Sequence, residues 1–110
     1  EDCMKILALE HDAPDVNAEQ FTRVLLQAEA ERVWELHQAG IIRELYFRAD
    51  RAAAVLVLEC ADVDEARSAL NTLPLVREQL IEFELIPLRA YPGFARLFAP
   101  GTVVSAISAK

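Results

Sequence analysis

A glutamate stands on the apolar face of the first predicted helix. At about 100° per residue, one broad arc of that helix collects five apolar residues: Phe21, Leu25, Leu26, Val33 and Leu36. Glu29 falls inside this arc, between Leu36 and Val33. A carboxylate that faces the interior must be paired, reached by water or protonated. Because burial raises a carboxylate pKa, Glu29 is predicted to be a catalytic acid or base that works near neutral pH. The alternative is a structural ion pair of Glu29 with Arg32, three residues along the helix.

Four further polar residues are candidates for substrate binding: His11, Arg32, Arg43 and Tyr46. His11 ends the first predicted strand, where ligands often bind, although a solvated loop histidine is the alternative. Arg43 on the second strand can hold a substrate carboxylate. It can equally neutralise Glu59 or Glu84 across the sheet. The sequence has no nucleophile–base–orienter triad, phosphate loop or zinc spacing, so we expect neither a metal nor a cofactor.

Two aromatic or basic residues lie away from the centre of the helical arc. Trp34 is off the main arc and is a candidate interface anchor. His37 lies at the rim of the arc, where a surface or interface position is expected.

The elements that position these residues follow in the order β-α-β-β-α-β. Strands are predicted over residues 4–11, 41–47, 53–60 and 81–88, and helices over 18–39 and from a cap at 62 to about 73. Asn17 with Gln20 is a capping box for the first helix, and Gly40 suits its C-terminal cap. Pro74 is expected to stop the second helix. The order is typical of a ferredoxin-like α+β fold, in which two helices cover one face of an antiparallel four-stranded sheet.

Both faces of this sheet are predicted to be apolar. In the first strand Ile6 and Ala8 point one way while Leu7 and Leu9 point the other. Since the helices shield only one face, a second copy of the chain is expected to cover the other, giving a dimeric α+β barrel or a larger homo-oligomer. The alternative is that residues 91–98, "YPGFARLF", fold back over their own sheet.

Length and composition are those of one globular domain, predicted over residues 4–98, followed by a C-terminal tail over 99–110 that is an arm, an extra strand or a loose end. The formal net charge of −7 argues against nucleic acid and anionic membrane as partners. No apolar stretch is long enough to span a bilayer and no leader opens the chain. Two isolated cysteines, Cys3 and Cys60, are typical of a reducing compartment, so a cytoplasmic location is expected.

The chain resembles the muconolactone isomerase family over residues 4–92. The similarity rests on "LNTLPL" (70–75), "IEFELIPL" (81–88), the following "YPG", and "ELHQAGIIREL" (35–45). The resemblance implies a ferredoxin-like chain that assembles through paired sheets, with a pocket between helix and sheet at a subunit boundary. It also implies proton transfer within an unsaturated lactone, without metal or cofactor. Glu29 stands in the place of a glutamate of the family's first helix, and Arg43 and Leu45 match as well.

Other positions depart from the family pattern. Glu44 replaces a histidine, Tyr46 and Phe47 replace a Trp-Arg pair, and Ala52 and Ala54 replace a tyrosine and an asparagine. These losses favour a relative that acts on a more apolar molecule, or a pocket without catalysis.

The predicted function is therefore cofactor-free proton transfer on an unsaturated lactone or a related catabolic intermediate. Glu29 would move the proton, and Arg43, with His11 or Tyr46, would orient the substrate. Two alternatives stay open. One is a cofactor-independent monooxygenase-like or dehydratase-like member of the dimeric α+β barrel group. The other is a non-catalytic binding or assembly module in which Glu29 and Arg32 form a structural pair.

Overall fold

The computed structural model describes residues 3–98, so the predicted tail over 99–110 lies outside the described residues. Four strands are present: β1 Met4–Asp12, β2 Ile42–Phe47, β3 Ala54–Cys60 and β4 Ile81–Pro87. Four α-helices accompany them: α1 Arg23–Gln38, α2 Val63–Leu70, α3 Pro74–Arg77 and α4 Ala95–Phe98. A single 3₁₀ turn, Ala18–Gln20, precedes α1.

The strands form one antiparallel sheet with the order β2-β3-β1-β4. β1 is central and pairs with β3 in a register that sets Leu7 opposite Val57 and Leu9 opposite Val55. The α+β class and the antiparallel four-stranded sheet are confirmed, and this arrangement is consistent with a ferredoxin-like fold.

The core lies between the sheet and the helices. Alternation along each strand turns one set of side chains toward the helices, and these are buried: Ile6, Ala8, Leu56, Leu58, Ile81 and Phe83. The opposite face has a centre of half-buried aliphatic side chains, Leu7, Leu9, Val55, Val57 and Ile86, flanked by the polar pairs Lys5–Glu59 and His11–Glu84. The prediction that both faces of the sheet are apolar is thus confirmed.

The C-terminal segment of the domain does not cover the helix-free face. Tyr91, Phe94, Leu97 and Phe98 are all exposed, with at least 65% of each side chain open. The alternative in which residues 91–98 shield their own sheet is therefore wrong.

The start of the first helix differs from the prediction. The capping box of Asn17 and Gln20 forms, but it caps the 3₁₀ turn alone. Phe21 then leaves helical geometry, and α1 begins after Thr22, whose Oγ1 accepts a hydrogen bond from the Leu25 N–H at 3.2 Å. Two residues suited to helix capping lie five positions apart, and the second starts the longer helix. At the other end, Gly40 adopts φ +84°, the left-handed conformation expected of a C-terminal cap.

The second helix is shorter than predicted, because it ends at Leu70. Pro74 does not stop it; instead Pro74 opens α3 at the first helical position, where a missing N–H costs no hydrogen bond. Between the two helices the chain turns inward and buries Leu73 completely.

Candidate active site

A large cavity lies between α1 and the sheet, with a volume of about 1020 Å³. Its wall is mainly apolar, and includes Phe21, Val33, Leu45, Phe47, Leu56 and Leu75. The space exists because α1 packs loosely: Leu36 is its only buried residue, and the small Ala30 lines the cavity instead of filling it. An apolar cavity of this size, with a few polar groups in its wall, is the usual form of a small-molecule site.

Glu29 projects from α1 into this cavity and is half-buried. Its Oε1 accepts a hydrogen bond from the Leu75 N–H at 2.9 Å. Leu75 lies in the first turn of α3, where a backbone N–H has no partner within the helix. The Leu75 N–H, which has no partner within its own helix, therefore holds one oxygen of the Glu29 carboxylate in place. The other oxygen of Glu29 makes no hydrogen bond with any residue of 3–98.

The pKa of Glu29 is raised above the ordinary glutamate value of 4.5, chiefly because burial disfavours the charged form. The hydrogen bond from the Leu75 N–H opposes this rise, and the negative charge of Glu10 adds to it. The balance favours a carboxyl group that holds a proton more firmly than one in water.

Glu10 is a second carboxylate in the cavity wall, and sequence reasoning missed it. Its Oε1 accepts from the Ala54 N–H at 2.7 Å, where β3 begins. Burial raises the pKa of Glu10, against the Ala54 hydrogen bond, and Asp12 raises it further. The signal was present in the sequence: Ile6 and Ala8 face the helices, so the strand period of two places Glu10 on the same side.

His37, Trp34 and Tyr46 complete the polar and aromatic part of the wall. His37 Nδ1 lies 2.8 Å from the Ile42 carbonyl oxygen, which can only accept, so this nitrogen donates. The other ring nitrogen, Nε2, has no hydrogen bond to any residue of 3–98. The Trp34 ring lies 6.0 Å from the His37 ring, centroid to centroid, and 58% of Trp34 is exposed. His37, expected at the surface or an interface, is thus part of the cavity.

Of the four predicted substrate-binding residues, Tyr46 alone belongs to the cavity lining, at the edge strand β2. Its hydroxyl donates to Glu44 Oε1 at 2.8 Å, and this hydrogen bond raises the pKa of the exposed Tyr46 phenol. Tyr46 pairs with Val55 in the register of β2 and β3, so its ring lies with Glu44 on the helix-free side of the sheet and is not directed toward α1.

His11 and Arg43 do not line the cavity. His11 lies on the helix-free side of β1, and its Nε2 is 3.3 Å from Glu84 Oε1. Arg43 Nη1 lies 3.7 Å from Glu59 Oε1, which is the cross-sheet neutralisation left open by the sequence.

Arg32 also lies outside the cavity wall. Its Nε donates to Thr72 Oγ1 at 2.8 Å and its Nη1 to Glu35 Oε1 at 2.9 Å. The alternative of a structural ion pair between Glu29 and Arg32 is therefore wrong: Arg32 ties α1 to the turn after α2, and Glu29 faces the cavity without it.

Within residues 3–98, no group of three or more His, Cys, Asp or Glu side chains is arranged to hold a metal ion. No helix in this part of the chain has the length and apolar character needed to cross a membrane.

The fold and the cavity define a small α+β protein with half-buried carboxylates between a helix and an antiparallel sheet. The family model described as Muconolactone delta-isomerase matches residues 7–93, and the chain belongs to this family. The resemblance seen in the sequence is thereby confirmed, and the match spans both Glu10 and Glu29. A search of curated proteins gave no match.

Proposed function

We propose that this protein is a cofactor-free isomerase that moves a proton within an unsaturated lactone or a related catabolic intermediate. The observation that carries the proposal is Glu29: a half-buried carboxylate, fixed by the Leu75 N–H, facing an apolar cavity in a chain of this family. Burial raises the pKa of Glu29, and a raised pKa brings a carboxyl group closer to what a general acid or base needs.

The reaction balances without any oxidant or reductant. The free oxygen of Glu29 removes a proton from the saturated carbon next to the C=C bond. The released electron pair forms a new C=C bond and the old one shifts toward the carbonyl group as an enolate. Protonated Glu29 then delivers the proton to the far end of the allylic system. The product is an isomer of the substrate, and the carboxylate is regenerated.

The contacts of Arg32 support this proposal over the non-catalytic alternative. That alternative required Glu29 to be neutralised by Arg32, whereas Arg32 bonds Glu35 and Thr72. A half-buried carboxylate without a cationic partner destabilises the fold, and such groups are concentrated at functional sites.

A turnover assay with a matched control tests the proposal. Unsaturated γ-lactones are incubated with the protein, and migration of the C=C bond is followed by NMR, with oxygen consumption recorded in parallel. Glu29→Gln is expected to lower kcat/KM by about 100-fold or more, since general acid–base catalysis contributes 10²–10⁴-fold. Glu31→Gln, an exposed change on the same helix, should leave it unaltered. Full activity in Glu29→Gln contradicts the proposal, and oxygen uptake would favour the monooxygenase-like alternative.

We also propose that the chain forms a homo-oligomer through the helix-free face of the sheet. Five half-buried aliphatic side chains occupy its centre, and the segment after β4 adds the exposed apolar residues Phe94, Leu97 and Phe98. An apolar surface of this extent is rarely left to water. Sedimentation should therefore report a dimer or larger species, and Val57→Glu at the centre of the face should yield monomers. A wild-type monomer at micromolar concentration contradicts this proposal.

A further inference from the structure

The charged residues of the cavity wall all have the same sign. Glu10, Asp12 and Glu29 line it, and no lysine or arginine of residues 3–98 does. Beyond Phe98 the sequence contains a single cation, Lys110. Proteins that bind a carboxylate ligand normally place an arginine or lysine against it. This wall offers an anionic ligand only carboxylates of like charge.

The arginines nearest to this region are already engaged with other groups. Arg32 bonds Glu35 and Thr72, Arg43 lies against Glu59, and Arg48 bonds Asp50 through two nitrogens. Arg51 is close enough to lower the pKa of Glu10, but it is exposed and does not line the cavity. Three of these four arginines are thus held by other groups, and none of the four lines the cavity.

Uncharged hydrogen-bond donors are available in the same wall. Asn17 Oδ1 accepts from the Glu19 N–H, which leaves the Asn17 side-chain NH₂ group without a partner among residues 3–98. The Trp34 indole N–H is likewise unbonded within the described chain. Such donors suit a neutral carbonyl oxygen, and the remaining wall suits apolar carbon.

We infer that this cavity takes an uncharged, mainly apolar molecule that carries a carbonyl group, and that it excludes molecules bearing a carboxylate. That this molecule is a substrate rests on the proposed function, whereas the preference of the cavity for a neutral ligand does not. Glu10 and Glu29 enforce the preference, because a ligand carboxylate in the cavity would lie among half-buried like charges that solvent screens incompletely.

Two probes of nearly equal shape isolate charge from size. One is an unsaturated γ-lactone with a carboxymethyl side chain, and the other is the primary amide of the same molecule. Dissociation constants are measured by calorimetry or ligand-observed NMR at pH 7.5 on the full chain. The amide is expected to bind at least about tenfold more tightly than the free acid.

Variants assign the preference to the cavity carboxylates. Glu10→Gln should strengthen binding of the free acid by about threefold or more while changing the affinity for the amide by less than about twofold. Glu31→Gln is the matched control, since it removes one charge from the exposed side of α1, and the ratio of the two affinities should not change.

The outcomes separate this inference from the proposed function. Equal or tighter binding of the free acid, including through a cation supplied by a second copy, overturns the inference, as does failure of the amide to bind at millimolar concentration. Isomerisation of the acid with a higher kcat/KM than the amide overturns the inference but leaves the proposed function standing. Tight amide binding without isomerisation supports the inference and contradicts the function.

Discussion

The two long helices cover the same face of the sheet in different ways. α2 has eight residues and buries two of them, Ala66 and Leu70. α1 has sixteen residues, twice as many, and buries only Leu36. Under α1 a cavity of about 1020 Å³ remains between the helix and the sheet. In this fold, therefore, α2 is the helix that packs more closely on the sheet, and α1 is the helix that carries the candidate site.

The side chains explain this difference. Ala66 is fully buried, and its small size lets α2 lie close to the sheet. α1 points Glu29 and Ala30 into the space where leucines would fill a core. A carboxylate cannot be packed away without cost, so the helix that carries it stays partly separated from the sheet.

The largest expected effect on stability compares the α2 side of the sheet, where side chains are buried, with the α1 side, where the cavity lies. Leu70→Ala removes a side chain that is 1% exposed, and should lower the free energy of unfolding by about 2–5 kcal/mol. Leu26→Ala, the matched change on α1, removes a side chain that is 45% exposed, and should cost less than about 1 kcal/mol. Urea denaturation monitored by circular dichroism measures both. Equal losses would mean that α1 packs as tightly as α2.

A smaller effect concerns the pH dependence that Glu29 gives to stability. Burial raises the pKa of folded Glu29 above 4.5, so the folded chain retains a proton that the unfolded chain has already released. The stabilisation from that proton is complete below pH 4.5 and is lost as the pH rises through the higher, folded-state pKa. Glu10 behaves in the same direction.

Comparison with Glu29→Gln isolates the contribution of Glu29 from that of Glu10. The amide oxygen can still accept from the Leu75 N–H, but no charge develops. At pH 8 the free energy of unfolding of the variant should exceed that of wild type by about 0.5–1 kcal/mol. The gain is small because Glu29 is only half-buried, so solvent screens part of its charge. The difference should shrink toward pH 4. Thermal melts between pH 4 and 8 provide the measurement, and a variant less stable than wild type at pH 8 would assign Glu29 a structural role.

The strands and the position of Glu29 could be read from the sequence because both depend on local periodicity. Alternation fixed the helix-facing set of β1, and the helical period placed Glu29 among apolar neighbours. The same alternation excludes His11 from the cavity and admits Glu10. His11 has the chemistry of a substrate-binding residue, but the strand period of two places Glu10, not His11, on the side of the cavity.

The features that the sequence did not reveal depend on competition or on distant contacts. Asn17 and Thr22 both suit a helix cap, and spacing alone does not rank them. Pro74 fits either the end of one helix or the start of the next. Arg32 has a glutamate three residues away on either side, and helical spacing alone does not choose between Glu29 and Glu35; its contact with Thr72, forty residues away, turns it toward Glu35.

The most direct test is a ¹³C NMR titration of the Glu29 carboxyl carbon, assigned by its absence from the spectrum of Glu29→Gln. A half-buried acid–base group in the cavity predicts a pKa above 4.5, and a lower value in Glu10→Gln because a neighbouring negative charge is removed. A pKa of 4.5 or below in the wild type would show a well-solvated or paired carboxylate, and would contradict the role assigned to the open side of α1.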